Sequence, residues 1–199
     1  MRLKSGLNFL KVNMMKKILV ISGHPNLQDS VANTAILNHV TTALPHAKIR
    51  KLDELYPDEV FDIELEQQAL LAADIIVWQF PFHWYALPAL LKKWLDQVFL
   101  HGFSHGSNAK LGGKQLILSF TTGAPEVAYA PNAIMQHSLE TLLAPFDSLA
   151  ALCNLDIQAP VYTTGVSYLA RGDEDGLQQQ TMAAQEHAQR LVRQIENLY

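Results

Sequence analysis

The first residues able to do chemistry lie in the stretch SGHPNLQDSVAN (22–33), which leads from a strand-like segment into a helical pattern. Free N–H groups and the dipole at a helix N-terminus favour a phosphate, and a nearby histidine could add a donor. Ordinary helix capping, with the histidine as a turn residue, explains the same residues taken alone. The candidate phosphate-binding residues are His24, Ser30, Val31, Ala32 and Asn33.

A second group lies in WQFPFHWYALP (78–88), which holds five aromatic side chains, one histidine and two prolines. Its first three residues end an apolar strand, and we expect their side chains in the core. In the loop that follows, a proline fixes the backbone and the aromatic rings offer flat apolar faces. The candidate residues here are Pro81, Phe82, His83, Trp84 and Tyr85.

The third group lies in FTTGAPEVAY (120–129), where two threonine hydroxyls precede a glycine. The glycine allows close backbone approach to a ligand, and successive amides can face a negative charge. A threonine-capped glycine turn explains this loop equally well by itself. Its candidate residues are Thr121, Thr122, Gly123 and Ala124. Taken together, the three loops suit a planar aromatic cofactor that carries a phosphate.

Strand-like apolar runs alternate with helical patterns along the chain. We predict strands at 17–22, 47–55, 74–80, 114–121 and 157–164, and helices at 30–44, 63–73, 87–98, 138–155 and 173–198. This alternation predicts an α/β fold with one parallel sheet covered on both faces. Ligands of such folds bind outside the carboxyl ends of the strands. All three loops follow strands directly, so we expect them to form one site.

Composition indicates one globular domain. The chain has 199 residues, of which 49% are apolar and 17% charged, and its net charge of −4 does not favour nucleic acid or an anionic membrane. The single cysteine, Cys153, fits a reducing compartment, and we expect a buried thiol and a cytoplasmic protein. We assign residues 16–199 to the domain.

Residues 1–15 are basic and weakly apolar, without the apolar segment and cleavage site of a secretory signal. They are expected to be an extension or a disordered arm, or translation begins at Met14 or Met15. A basic membrane-touching helix with Leu3, Leu7, Phe9 and Leu10 on its apolar face is the remaining alternative.

Other kinds of site fit the sequence poorly. His101 and His105 are four residues apart, but two glycines place them in a loop and no carboxylate or cysteine accompanies them, so we expect no metal. The stretch GGKQ (112–115) lacks the first glycine and the serine or threonine of a P-loop, and it precedes a strand. No G-x-S-x-G nucleophile motif is present.

The motifs SGHP…SVAN, WQFPFHWYALPALLKKWLDQVF and TTGAPEVAY, in this order, resemble the flavodoxin-like NAD(P)H:quinone reductases over residues 16–198. That family includes DT-diaphorase, bacterial general stress oxidoreductases and the ancillary oxidoreductases of glutathione-gated potassium efflux systems. The resemblance implies a three-layer α/β/α fold with a five-stranded parallel sheet in the order 2-1-3-4-5. It also implies a homodimer, formed in part by the 87–103 segment.

The resemblance further implies a flavin, FMN or alternatively FAD, with its phosphate at residues 30–33 and its ring along 82–85 and 121–124. NAD(P)H would be the co-substrate and a quinone the acceptor, both using one place in turn in a ping-pong scheme. Tyr129 stands where the family has a tyrosine facing the flavin. His137 is the nearest match to a catalytic histidine, offset by about two residues in the alignment.

Two positions depart from the family pattern. The family often has glutamine where His83 stands, which could alter the polarity of the pocket and its response to pH. It often has a second glycine where Ala124 stands, which bears on how closely the third loop approaches a flavin. The alternative function is that of a regulatory subunit that binds and activates a potassium efflux system, although no docking surface for a channel is evident in the sequence.

Overall fold

The structure, a computed structural model, describes residues 15–199 except for the side chains of Ala170 and Arg171. The arm expected at the N-terminus, its apolar face and a start at Met14 therefore lie outside the described residues. The strands are β1 (Ile18–Ser22), β2 (Lys48–Lys51), β3 (Ile75–Pro81), β4 (Gln115–Thr121), β5 (Asp156–Ile157) and β6 (Val161–Thr163). The α-helices are α1 (Val31–Ala43), α2 (Leu52–Leu55), α3 (Ile63–Ala72), α4 (Ala89–Val98), α5 (Leu139–Cys153) and α6 (Glu174–Glu196).

The strands form one parallel sheet in the order β2-β1-β3-β4-β5, with β6 also paired to β4. This confirms the predicted fold class and strand order. The fifth strand differs in one respect, because it is split into two short strands. β5 pairs with Gln115 and Leu116, and β6 pairs with 119–121. Pro160 lies in the gap, where its missing N–H could not donate to the sheet.

The second strand is shorter than predicted. Its expected C-terminal part, from Leu52 to Leu55, is the helical turn α2. Four other helices, α1, α3, α5 and α6, begin close to their predicted starts because polar side chains cap them. Ser30, Asp62, Ser138 and Asp173 each accept a hydrogen bond from the backbone N–H three residues on.

The apolar strands are buried on both faces, which explains their nearly continuous hydrophobic runs. On one face, Val20, Val77 and Ile117 pack with residues of α1 and α6. On the other, Ile21, Trp78 and Phe120 pack with residues of α3, α4 and α5. Two helical layers therefore enclose the sheet and leave its carboxyl edge for the connecting loops.

Candidate functional site

A cleft of about 310 Å³ lies at the carboxyl edge of the sheet. It is lined by residues of all three loops singled out in the sequence and by a fourth loop that follows β6. The lining residues are His24, Ser30, Asn33, Pro81, Phe82, His83, Thr121, Gly123, Val166, Ser167 and Tyr168. The structure therefore brings eight of the predicted site residues together.

The polar end of this cleft is formed where β1 leads into α1. Ser30 is the N-cap of α1, and its Oγ accepts hydrogen bonds from the backbone N–H of Asn33 at 3.2 Å and from its side-chain amide at 3.0 Å. The N–H groups of Val31 and Ala32 have no acceptor within the helix because they lie in its first turn. Val31 and Ala32 do not line the cleft themselves, so this end presents the Ser30 hydroxyl and the Asn33 side chain beside the positive end of the helix dipole.

Gly23 explains how the first loop keeps its place. A Cβ atom built on this residue would lie 2.5 Å from the Cβ and Cδ2 atoms of Leu91 in α4. Only glycine allows the loop to pack this closely against the helix. The backbone N–H of Gly23 also donates to the carbonyl of Gln79 at 2.9 Å, which ties the loop to β3.

The second loop is only partly a wall of the cleft. The N–H of Phe82 donates to the carbonyl of Thr121 at 2.8 Å, and its ring is buried with its centroid 5.0 Å from that of Phe120. Trp84 and Tyr85 do not line the cleft. They have φ angles of 48° and 65°, and the Trp84 side chain is 91% exposed. Left-handed backbone at two such residues costs roughly 1–3 kcal/mol each.

Two histidines face each other across the cleft mouth. The rings of His24 and His83 meet edge-on with centroids 6.4 Å apart. His24 Nδ1 accepts a hydrogen bond from the N–H of Asn26 at 3.1 Å. Protein atoms around His83 lower the pKa of its imidazole, although the side chain keeps an exposed surface. We therefore expect His83 to be neutral over more of the acidic range than an ordinary histidine.

In the third loop, one threonine lines the cleft and the other makes a hydrogen bond within the loop. Thr121 lines the cleft, whereas the hydroxyl of Thr122 donates to the carbonyl of Ala124 at 2.8 Å. Neither Thr122 nor Ala124 lines the cleft. A Cβ on Gly123 would meet only the carbonyl oxygen of Val166, at 3.9 Å, so packing does not require glycine there.

The fourth loop, residues 164–168, was missed in the sequence analysis. It is held against the third loop by two hydrogen bonds, from the N–H of Val166 to Thr122 O and from the N–H of Gly165 to Ala124 O. One signal could have found this loop. Ligands of such folds bind at the carboxyl ends of the strands, and the loop directly follows the last predicted strand.

Tyr129 and His137 lie apart from this cleft. Tyr129 is buried and lines a neighbouring cleft of about 370 Å³ together with Glu126, Leu139 and Tyr162. His137 is exposed, just before the N-cap of α5, and lines neither cleft. The structure therefore does not place these two residues together.

Two further findings concern the described part of the chain. Between residues 15 and 199, no three histidine, cysteine, aspartate or glutamate side chains are grouped so that they could hold a metal ion. His101 and His105 pack edge-on, with ring centroids 5.5 Å apart. Within the same residues, none of the helices has both the length and the hydropathy needed to cross a bilayer.

These features define a class of protein, the flavodoxin-like proteins, with a cleft at the carboxyl edge of the sheet. The chain belongs to the flavodoxin-like fold family, which matches residues 16–191. This finding, with the relatives below, confirms the resemblance drawn from the three motifs.

Three relatives illustrate this family. The glutathione-regulated potassium-efflux system ancillary protein KefG of Cronobacter sakazakii is 40% identical over 146 residues, which cover 73% of this chain and 79% of KefG. The structure of general stress protein 14 from Treponema denticola in complex with FMN superposes with a TM-score of 0.80 and 28% identity, covering 90% of this chain and 99% of the other. An NADPH-quinone reductase from P. pentosaceus superposes with a TM-score of 0.69 and 26% identity, covering 87% and 98%.

Proposed function

We propose that this protein is a flavin-dependent NAD(P)H oxidoreductase that reduces quinones or similar acceptors by two electrons. The observation that carries the proposal is the cleft itself, which has hydrogen-bond donors suited to a phosphate at one end and an apolar wall beside them. The FMN complex of general stress protein 14, which has the same fold, supports it. So does the reductase from P. pentosaceus.

The residues of the cleft fit FMN. Its polar end offers a helix N-terminus, the Ser30 hydroxyl and the Thr121 hydroxyl, which suit a phosphate monoester. Pro81, Phe82 and Val166 supply the apolar surface that an aromatic ring system needs. We propose FMN rather than FAD, because the phosphate-binding end and the apolar wall account for this smaller cofactor without a further pocket for adenine.

Each part of the chain has a defined task in this proposal. The first turn of α1, with Ser30 and Asn33, binds the phosphate, and residues 81–83 hold the edge of the ring. A flavin bound there would accept hydride from NAD(P)H and pass it to a quinone that takes the vacated place. Trp84 and Tyr85, next to the mouth, would limit access to that place.

Of the two predicted catalytic residues, we propose Tyr129 rather than His137. Tyr129 lies in a cleft built from the same loop as Gly123, so it can contact a substrate at the carboxyl edge. A buried hydroxyl there could donate a hydrogen bond to charge that develops on the reacting groups. His137 is exposed outside both clefts, and no contact assigns it a role.

A regulatory role in potassium efflux is the second candidate. The observation in its favour is the similarity to the ancillary protein KefG. It is compatible with enzymatic activity, because a channel partner would dock on the surface and leave the cleft intact. We further propose a cytoplasmic homodimer, formed in part by residues 87–103.

The test of the function is to identify what the purified protein binds. Denaturation should release a yellow compound with the absorbance spectrum and mass of FMN. The holoenzyme should oxidise NAD(P)H only in the presence of a quinone, with parallel lines in double-reciprocal plots. A colourless protein that does not take up added flavin would contradict the proposal, and intersecting lines would contradict the ping-pong scheme.

A further inference from the structure

A chain of buried hydrogen bonds runs from the cleft through the sheet to α6. At its centre is His187, a fully buried residue of α6. The Nε2 atom of its ring lies 2.8 Å from the hydroxyl oxygen of Ser119 in β4, and Nδ1 lies 3.0 Å from that of Thr163 in β6. Both ring nitrogens therefore have a partner, and these partners belong to different strands.

Between His187 and the cleft, each link joins two buried side chains. The Ser119 hydroxyl donates to Oε1 of Gln79 in β3 at 2.5 Å, and Nε2 of Gln79 donates to Oδ1 of Asn33 at 2.7 Å. The amide of Asn33 then donates to the hydroxyl oxygens of Ser30 at 3.0 Å and Thr121 at 3.3 Å. These last two residues line the cleft.

The direction of the chain follows from Ser119. Its single hydroxyl hydrogen is donated to the Gln79 carbonyl oxygen, so towards His187 it can only accept, and the ring hydrogen lies on Nε2. Nδ1 then accepts from the Thr163 hydroxyl, whose oxygen in turn accepts from Nη2 of Arg190 at 2.9 Å. Burial and the nearby Arg190 charge lower the pKa of His187 to about 3, so the ring is neutral and carries one N–H.

The direction at the inner end matters for a ligand. Ser30 accepts from both the backbone N–H and the side chain of Asn33, and Thr121 accepts from the same side chain. Ser30 thus has both of its acceptor positions used within the protein and Thr121 has one of two used, while each hydroxyl keeps its own hydrogen to donate. Two donors facing the cleft are what a phosphate requires.

We propose that His187, through Ser119, Gln79 and Asn33, is a positioning residue that orients the Ser30 and Thr121 hydroxyls as donors to the cofactor phosphate. The proposal rests on the proposed function, since it concerns how a flavin phosphate is bound. It assigns this role to a residue on the far side of the sheet, where no contact with the ligand is needed.

The experiment compares FMN with riboflavin, which has the same ring but no phosphate. Dissociation constants of both are measured by flavin fluorescence on apoprotein of the wild type and of His187→Phe, His187→Gln and Leu191→Val. Leu191 is equally buried in α6, one turn away, and has no part in the chain of hydrogen bonds. Leu191→Val therefore controls for a general loss of packing. Glutamine can still donate to Ser119 and should preserve the effect.

We expect His187→Phe to weaken FMN binding roughly tenfold while riboflavin binding changes less than about twofold, because only the phosphate contacts are lost. His187→Gln and Leu191→Val should keep the wild-type ratio of the two constants. Ser119→Ala, which cuts the next link, should repeat the His187→Phe result and replaces it if that variant does not fold. An unchanged ratio in His187→Phe and Ser119→Ala, or an equal change in Leu191→Val, would overturn the proposal.

Nitrogen NMR of the wild-type apoprotein gives a second readout that does not depend on flavin. The neutral Nε2–H tautomer of His187 is expected, and the Nδ1–H tautomer would overturn the direction of the chain. If the wild type bound neither FMN nor riboflavin, both this proposal and the proposed function would fail. If it bound FMN but the variants behaved like the wild type, only the positioning role would fail.

Discussion

His187 shows at the scale of one residue how a neutral polar side chain couples stability to pH. Its pKa is lowered to about 3 in the folded protein by burial and by Arg190, whereas an unfolded histidine titrates near 6.5. The unfolded chain therefore gains a proton first as the pH falls. The contribution of His187 to stability is complete above about pH 6.5 and is lost towards pH 3, at about 1.4 kcal/mol per pH unit.

We predict that the wild type loses about 1.4 kcal/mol more stability than His187→Gln between roughly pH 7.5 and 5.5, because glutamine does not titrate. Urea denaturation at a series of pH values measures the difference. Leu191→Val is the control, since it should lower stability by a similar amount at every pH. Parallel curves for the wild type and His187→Gln would show that the pKa of the ring is the same in the folded and unfolded protein.

At the scale of helices and strands, a buried group of polar side chains connects β2, α3 and α4. Glu66 of α3 is fully buried and accepts hydrogen bonds from Arg50 of β2, from the Tyr56 hydroxyl at 2.6 Å and from the indole of Trp94 in α4 at 3.1 Å. Arg50 is 6% exposed. Because every charge has its partner, the cost of burial is offset only while the group is intact.

We predict that Glu66→Leu lowers the free energy of unfolding by about 3–5 kcal/mol, because it leaves Arg50 buried without its carboxylate. The double variant Arg50→Met with Glu66→Leu should be more stable than the single variant, since no unpaired charge remains. Urea denaturation at neutral pH measures both. A double variant less stable than Glu66→Leu would show that the pair itself, and not its completeness, holds these elements together.

For the whole molecule, large apolar side chains are exposed in the loops that follow β3 and β4. Trp84 is 91% exposed, Ile134 83% and Val127 73%. Such surfaces often mark interactions between proteins. Trp84 lies three residues before the segment expected to form the homodimer, and a partner that covered it would also lie close to His83 at the mouth of the cleft.

We predict that the protein sediments as a dimer at micromolar concentration and that Trp84→Ser shifts it towards the monomer. A large aromatic side chain that becomes buried on association often contributes most of the binding energy of an interface. Leu152→Ser is the matched control, since Leu152 is 64% exposed on α5. Analytical ultracentrifugation over a concentration series distinguishes the two variants. A wild-type monomer throughout the series would contradict the dimer.

Much of this architecture could be predicted because it depends on patterns that are local in the chain. The buried face of α4 follows the helical period, Ser30 is a local capping signal, and β1, β3 and β4 are short continuous apolar runs. The order of these elements predicted a parallel sheet, and a parallel sheet brings the first three loops together at one edge.

What the tertiary structure alone decided depends on residues far apart in sequence. Gln79 bonds to Asn33, 46 positions away in the sequence, and Ser119 bonds to His187, 68 positions away. No local sequence pattern therefore predicts the chain of hydrogen bonds behind the cleft. The same holds for Phe82, whose ring belongs to the core because Phe120 lies beside it. The sequence by itself determined most of the helices and strands and the edge where the site forms, since short-range hydrophobic patterns and capping specify them. Packing between distant segments decided which side chains line the cleft and which way their donors point.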